Sequence, residues 1–164
     1  SIDETSNNMI QLKSLEGNIS SLTAEILNRQ SKQVDKFVLR IQLAENLHKR
    51  AIISDSGESF AEAELYLEEL LEELPTSHTK YAEALKLYSV CKLNAYKVSK
   101  DINILKKSAV ILSNISSQMA DSNSILPYIL EHLIEHCDIV VKSSRDVEFF
   151  KIEVATRARA IYLV

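Results

Sequence analysis

Residues Phe60–Pro75 read FAEAELYLEELLEELP. Apolar residues recur in this stretch at intervals of three and four, which places them on one side of an α-helix. They are Ala63, Leu67, Leu70, Leu71 and Leu74. Pro75 cannot continue a helix and therefore ends it. Ser59 with Glu62 predicts a capping box at the other end, in which each side chain satisfies a free backbone donor.

The same spacing extends in both directions along the chain. Only two glycines and two prolines interrupt the 164 residues, and no segment alternates apolar and polar residues as a strand would. The predicted helix starts include caps at Asp101 and Ser124 and, for the last helix, Ser143 with Asp146. We therefore predict an all-α fold of about seven antiparallel helices, arranged as helical hairpins in an α-solenoid. A compact helical bundle is the alternative.

Composition narrows the class of protein. The length fits one domain, residues 1–164, and 46% apolar with 26% charged residues is a globular balance. The chain begins at Ser1 and ends at Val164 within an apolar helical pattern, so we expect a fragment of a larger protein. No signal peptide or membrane-spanning run is visible. Two isolated cysteines, Cys91 and Cys137, fit a reducing compartment, with a single disulfide as the alternative. These features predict an intracellular protein, cytoplasmic or nuclear.

The junction after the Phe60–Leu74 helix resembles a tetratricopeptide repeat boundary, across about residues 61–90. In that family a small, a large and a second small residue precede a proline, and aromatic residues open the next repeat. The matching positions here are Ala63, Leu67, Leu70, Pro75, Tyr81, Leu85 and Tyr88. The resemblance implies an irregular helical repeat that serves as a protein-binding scaffold.

Residues 132–136, HLIEH, have the form of the inverted zinc-peptidase motif, in which two histidines on one helix face hold zinc. His132 and His136 are therefore candidate metal ligands. Glu135 projects to the opposite side from the apolar stripe, and the chain carries no strands of the kind that family has. We therefore predict no metal and no other cofactor, with a metallopeptidase as the remote alternative.

An acidic run is the better candidate for function. From Asp55 to Glu73 there are eight acidic residues and no basic one. Like charges four residues apart on a helix destabilise it, which suggests a docking patch for a basic segment. The alternatives are a solvated face, or pairing with lysines of the next helix. The predicted contact residues are Glu62, Glu69, Glu73, Lys86, Lys92 and Lys97.

We therefore predict a non-enzymatic protein-interaction or scaffold domain of a larger assembly. Its partner would be a peptide or helical segment of another subunit, held in a groove with acidic and basic faces. The net charge of −4 and the scarcity of arginine beside these lysines argue against nucleic acid. No membrane contact is predicted. The alternative is an internal helical scaffold segment of a large enzyme such as a giant kinase.

Overall fold

The computed structural model describes residues 2–28 and 35–164. Within these ranges it is all-helical, with seven helices and no strand, as predicted. The helices are α1 (Ile2–Leu27), α2 (Lys36–Ser54), α3 (Gly57–Glu73), α4 (Tyr81–Ser99), α5 (Ile102–Ser117), α6 (Leu126–Ser144) and α7 (Val147–Tyr162). None of the helices in the described ranges is both long and apolar enough to cross a membrane.

The chain divides into two compact units, Ser1–Cys91 and Lys92–Val164, with the boundary inside α4. The prediction of a single domain stays a prediction. In the first unit α2 packs against both α1 and α3. The first unit buries apolar side chains of α2, α3 and α4, among them Leu43, Leu47, Phe60, Leu67, Tyr81 and Tyr88. Leu15 is the one buried residue of α1, so this helix is held mainly along a single stripe.

In the second unit α6 packs against both α5 and α7. The core lies along the apolar stripe of α6 and the facing side of α5. Its fully buried members include Leu105, Leu112, Ile129, Leu130 and Leu133. Helix α7 buries few side chains, Glu153 and Thr156, although it carries several apolar residues.

The helices recur at an interval of 45 residues. Helices α2, α4 and α6 begin at residues 36, 81 and 126, and each has 19 residues. Helices α3, α5 and α7 begin at residues 57, 102 and 147. The chain thus contains three consecutive helix pairs in a common register, which the sequence analysis did not detect.

A two-residue turn joins the two helices of each pair. The three turns are Asp55–Ser56, Lys100–Asp101 and Arg145–Asp146. The first turn residue is left-handed, with φ of 49°, 59° and 54° respectively. The second turn residue accepts a bond from a backbone N–H of the following helix through its side chain. These turns satisfy backbone groups at both helix ends without using glycine.

A serine precedes every one of these turns. Ser54, Ser99 and Ser144 each donate the Oγ hydrogen to the carbonyl four residues earlier, at 2.8, 3.0 and 2.7 Å. The three-residue pattern of serine, left-handed residue and capping residue therefore recurs in sequence and in hydrogen bonding.

Three of the predicted caps need correction. Ser56 caps α3, so Ser59 lies inside the helix and the capping box with Glu62 is wrong. Ser124 does not cap α6, since the side chain of Asn123 accepts the bond from Ile125 N instead. Ser143 belongs to α6. The caps at Asp101 and Asp146 are confirmed.

Candidate interaction surface

Helix α3 presents a row of exposed carboxylates, here called the acidic surface. Its members are Glu58, Glu62, Glu69, Glu72 and Glu73. The helix lies with Ala63, Leu67 and Leu70 fully buried, and these five carboxylates face outward. The predicted contact residues Glu62, Glu69 and Glu73 all belong to this surface.

Two arginines of α2 hold two of these carboxylates. Arg50 donates to Glu62 of α3 and also to Glu16 of α1, with N–O distances of 2.5 and 3.0 Å. Arg50 is itself mostly covered, while both glutamates are more than half exposed. Because one guanidinium serves both neighbours, Arg50 connects α1, α2 and α3.

The second arginine, Arg40, lies at the other end of α2 and donates to Glu73 at 2.6 Å. Its guanidinium also lies over the rings of Phe37 and Tyr66, 5.8 and 5.9 Å from their centroids. Burial disfavours the charge on Arg40, but the interactions with Glu73 and Tyr66 together outweigh that effect and raise the pKa of the guanidinium. The acidic surface is therefore partly neutralised, by arginines of the preceding helix rather than by lysines of the following one.

The other three members of the acidic surface differ from Glu62 and Glu73. Glu58, Glu69 and Glu72 are exposed and have no ion-pair partner among residues 2–28 and 35–164. They are the carboxylates that remain available to a basic partner.

Two more acidic residues of the run are directed inward. Glu64 is buried, and the half-buried Glu68 accepts from the hydroxyl of Tyr88 at 3.5 Å. Burial, together with the charges of Glu68 and Glu64, raises the pKa of Tyr88. The run of eight acidic residues therefore includes exposed carboxylates and carboxylates that face inward. Helical spacing alone did not distinguish these two groups.

The predicted lysines do not form one surface. Lys86 and Lys97 are exposed, whereas only 2% of Lys92 is exposed. The side chain of Lys92 is therefore not accessible to another protein in this structure. The prediction of Lys92 as a contact residue rested on its place in a run of lysines, which does not show which side of the helix each lysine occupies.

The acidic surface and the lysines of α4 are not paired with each other. Within the described ranges, Glu62 and Glu73 bond to arginines, and neither Glu69, Lys86 nor Lys97 has an ion-pair partner. In the described ranges, Glu62, Glu69 and Glu73 therefore form no ion pair with lysines of the next helix. Sequence reasoning missed Arg40 and Arg50, although both border buried residues of α2 and so needed partners.

The two histidines of the HLIEH segment do not converge on a common site. His136 is fully buried, and its Nδ1 lies 2.6 Å from Ser108 Oγ in α5. His132 is half-buried, and Glu135 is exposed. Across the ranges that the structure covers, no group of three or more histidine, cysteine or acidic side chains could hold a metal ion.

The cysteines are free thiols, and both are buried. Burial, with a smaller contribution from the charge of Glu153, raises the pKa of Cys137 to about 12. A thiol with so high a pKa is a poor nucleophile at neutral pH. Cys137 therefore contributes to packing rather than to chemistry.

A shallow groove in the second unit lies between α5 and α7. Ser116, Ser117 and Thr156 line it, but each hydroxyl donates to a carbonyl of its own helix. Arg159 also lines the groove and donates to the carbonyls of Ser116 and Met119 and to the carboxylate of Asp121. The groove therefore carries polar groups that are already engaged within the protein.

No protein-family model, curated protein or solved structure matches this chain.

Proposed function

We propose that this chain is part of a helical-repeat scaffold that binds a basic segment of a partner protein through the acidic surface of α3. The supporting observation is the division within that surface. Arg40 and Arg50 fix Glu73 and Glu62 in place, while Glu58, Glu69 and Glu72 stay exposed without an ion-pair partner in the described ranges. Such a surface presents carboxylates on a rigid helix, and little conformational entropy is lost when a cation meets them.

The recurrence of helix pairs also supports a scaffold. Two-helix repeats of about 40–47 residues form one class of protein-binding solenoids, and the 45-residue interval falls in this range. The tetratricopeptide resemblance implies a 34-residue unit, which differs from the 45-residue interval. With a 45-residue unit, the resemblance is a local similarity between helix pairs and not a shared repeat length. No catalytic role is assigned to any residue, and the chain acts by binding.

The partner that suits this surface is a segment rich in lysine or arginine. Exposed ion pairs are individually weak, about 0.2–1 kcal/mol each, so several must act together. They are also screened by salt over about 8–10 Å at physiological ionic strength. Binding through the acidic surface should therefore weaken steeply as salt is raised.

The test immobilises the 164-residue chain as a bait for proteins in a cell extract. A carbodiimide then couples carboxylates of the bait to lysines of a bound protein that contact them. Glu69→Lys with Glu72→Lys reverses two carboxylates that hold no arginine, so the α2–α3 contacts remain. The matched control, Glu131→Lys with Glu135→Lys, reverses two exposed carboxylates of α6.

We expect a protein cross-linked to α3 whose retention falls at least tenfold in the α3 variant and stays unchanged in the α6 variant. Equal retention on all three baits, or cross-links that avoid α3, would refute the proposal.

A further inference from the structure

Exposed cations lie at the two turns of the second unit, where α4 meets α5 and α6 meets α7. They are Lys97, Lys100 and Arg145, here called the basic edge. None of the three has an ion-pair partner in the described ranges. Lys142 also lies near the second of these turns, but it bonds to Asp138 of its own helix at 2.8 Å and is not counted with them. The basic edge is therefore positive charge that no ion pair of the described chain neutralises.

Two contacts hold these turns next to each other. The hydroxyl of Tyr96, the residue before Lys97, lies 3.4 Å from Ser143 Oγ in α6. Lys106 of α5 donates to the carboxylate of Asp146, which caps α7, at 3.1 Å. A partner bound at one turn therefore lies close to the cations of the other.

The backbone of these turns does not require a cation. Lys100 and Arg145 occupy the left-handed position of their turns, which glycine adopts without strain and other residues adopt at a cost. The equivalent residue of the first turn is Asp55, so the same conformation forms there without a basic residue. Strained residues of this kind are concentrated at functional sites, which makes the two cations candidates for recognition.

The helix ends do not require the cations either. A basic residue near a helix C-terminus is stabilised by the helix dipole. Helix α2, however, has no basic residue in its last turn and ends at Asp55. The dipole therefore tolerates a cation at this position without demanding one.

The turns have few free groups for phosphate. Proteins contact phosphate oxygens through hydroxyls and backbone N–H groups as well as through cations. Here the hydroxyls of Ser99 and Ser144 donate to carbonyls of their own helices. The backbone N–H groups of Lys100 and Arg145 also donate to carbonyls within the chain.

The neighbours of the cations favour an acidic protein segment over nucleic acid. The capping carboxylates of Asp101 and Asp146 lie directly after Lys100 and Arg145, and they would repel a continuous phosphate backbone. A peptide can place single carboxylates at the cations and neutral side chains beside the caps. Val98, between Lys97 and Lys100, is 39% exposed and offers an aliphatic contact that a protein segment can cover.

We propose that the basic edge binds an acidic segment of a partner protein that also carries aliphatic residues. Its carboxylates would pair with Lys97, Lys100 and Arg145, and an aliphatic side chain would cover Val98. This inference concerns a different surface from the acidic surface of α3 and does not depend on it.

The test titrates the 164-residue chain into a fluorescein-labelled peptide of four Glu-Glu-Leu repeats at low ionic strength, followed by fluorescence anisotropy. Lys100→Gly with Arg145→Gly removes two cations at positions where glycine relieves strain, so this glycine variant should keep its fold. The matched control, Lys13→Gln with Lys86→Gln, changes the net charge equally at exposed lysines of α1 and α4.

We expect saturable binding that weakens at least fivefold in the glycine variant and stays unchanged in the control. A peptide of four Gln-Gln-Leu repeats should not bind, and added salt should weaken the binding of the acidic peptide. Circular dichroism checks that both variants keep their helicity. Absent binding, or equal binding to the wild-type chain and the glycine variant, would overturn the proposal.

Two further measurements identify a different occupant. A thymidine oligonucleotide that binds more tightly than the acidic peptide, and only without the glycine substitutions, would replace the protein segment by nucleic acid. Sedimentation equilibrium that shows oligomers dissociated by the glycine substitutions would replace it by a second copy, joined through a heterologous contact. Either result would overturn the proposal.

Discussion

Ser108 Oγ in α5 lies 2.6 Å from Nδ1 of His136 in α6, and both side chains are fully buried. The serine hydroxyl also lies 3.0 Å from the carbonyl of Leu105. A hydroxyl donates one hydrogen, so when it donates to Leu105 it accepts from the imidazole N–H. This polar contact joins two helix pairs, and it gives the buried histidine of the HLIEH segment a hydrogen-bond partner.

Replacing Ser108 tests the energetic value of that contact. Ser108→Ala removes the partner of a buried imidazole nitrogen, and we expect the free energy of unfolding to fall by about 1–3 kcal/mol. Urea denaturation followed by circular dichroism measures the change. Ser117→Ala is the matched control, because its exposed hydroxyl makes a similar bond to its own helix. Equal effects of the two substitutions would contradict a special role for the buried contact.

Arg159 is expected to stabilise the end of α5. It donates to the carbonyls of Ser116 and Met119 at 2.7 and 2.8 Å, where a helix C-terminus leaves carbonyls without partners. Arg159→Met should lower the free energy of unfolding by about 1.5–3 kcal/mol, the range for bonds to a charged group. Lys151→Met on the same helix changes an exposed lysine whose partner Glu148 is also exposed, and it should cost less than about 1 kcal/mol. The reverse order in chemical denaturation would show that the helix end does not need Arg159.

The left-handed turn residues predict a substitution whose sign depends on position. Arg145 has φ of 54°, a conformation that glycine adopts without strain. Arg145→Gly should therefore raise the free energy of unfolding by about 0.5–1 kcal/mol. Lys142→Gly, three residues earlier inside α6, should lower it by about the same amount. Thermal melts of the two variants should shift in opposite directions, and a shared direction would rule out strain at the turn.

His48 makes the stability of the first unit depend on pH. The side chain is buried beside Phe60, and burial lowers its pKa below the ordinary value. The unfolded chain then binds a proton at a pH where the folded chain does not, so stability rises with pH in that window. We expect the free energy of unfolding to decrease as the pH falls below about 6.5, and less so in His48→Gln. Denaturation series at pH 5, 6 and 7 compare the two slopes, and identical slopes would exclude His48 as the cause.

The sequence predicted the helices well because apolar spacing is a local property. The cap predicted at Asp101 lies directly before the first residue of α5. The cap of α3 was misplaced by three residues, since Ser56 and Ser59 are equally good candidates by residue type. Which serine acts depends on where the left-handed residue Asp55 lies, and its backbone conformation is not visible in the sequence pattern.

The candidate surface was predicted less completely. Exposure of Glu62, Glu69 and Glu73 followed correctly from the buried stripe of α3. The arginine partners of Glu62 and Glu73 lie 12 and 33 residues away in sequence, so the pairing depends on how α2 packs against α3. Lys92 is the opposite case, because a residue predicted to contact a partner is buried. Its burial results from tertiary packing, whereas composition places lysine at the surface.

Short and long connections alternate along this chain, and the alternation restricts how it can change in length. An extra residue in the turn Lys100–Asp101 would rotate the following helix by about 100° and turn its buried side away from the core. The connections at residues 74–80 and 118–125 are longer and contain exposed positions such as Ser77 and Ser122. Flexible segments accept added residues at a small entropic cost. Insertions should therefore be tolerated between helix pairs and rejected within them, so that each pair is inherited as an indivisible unit.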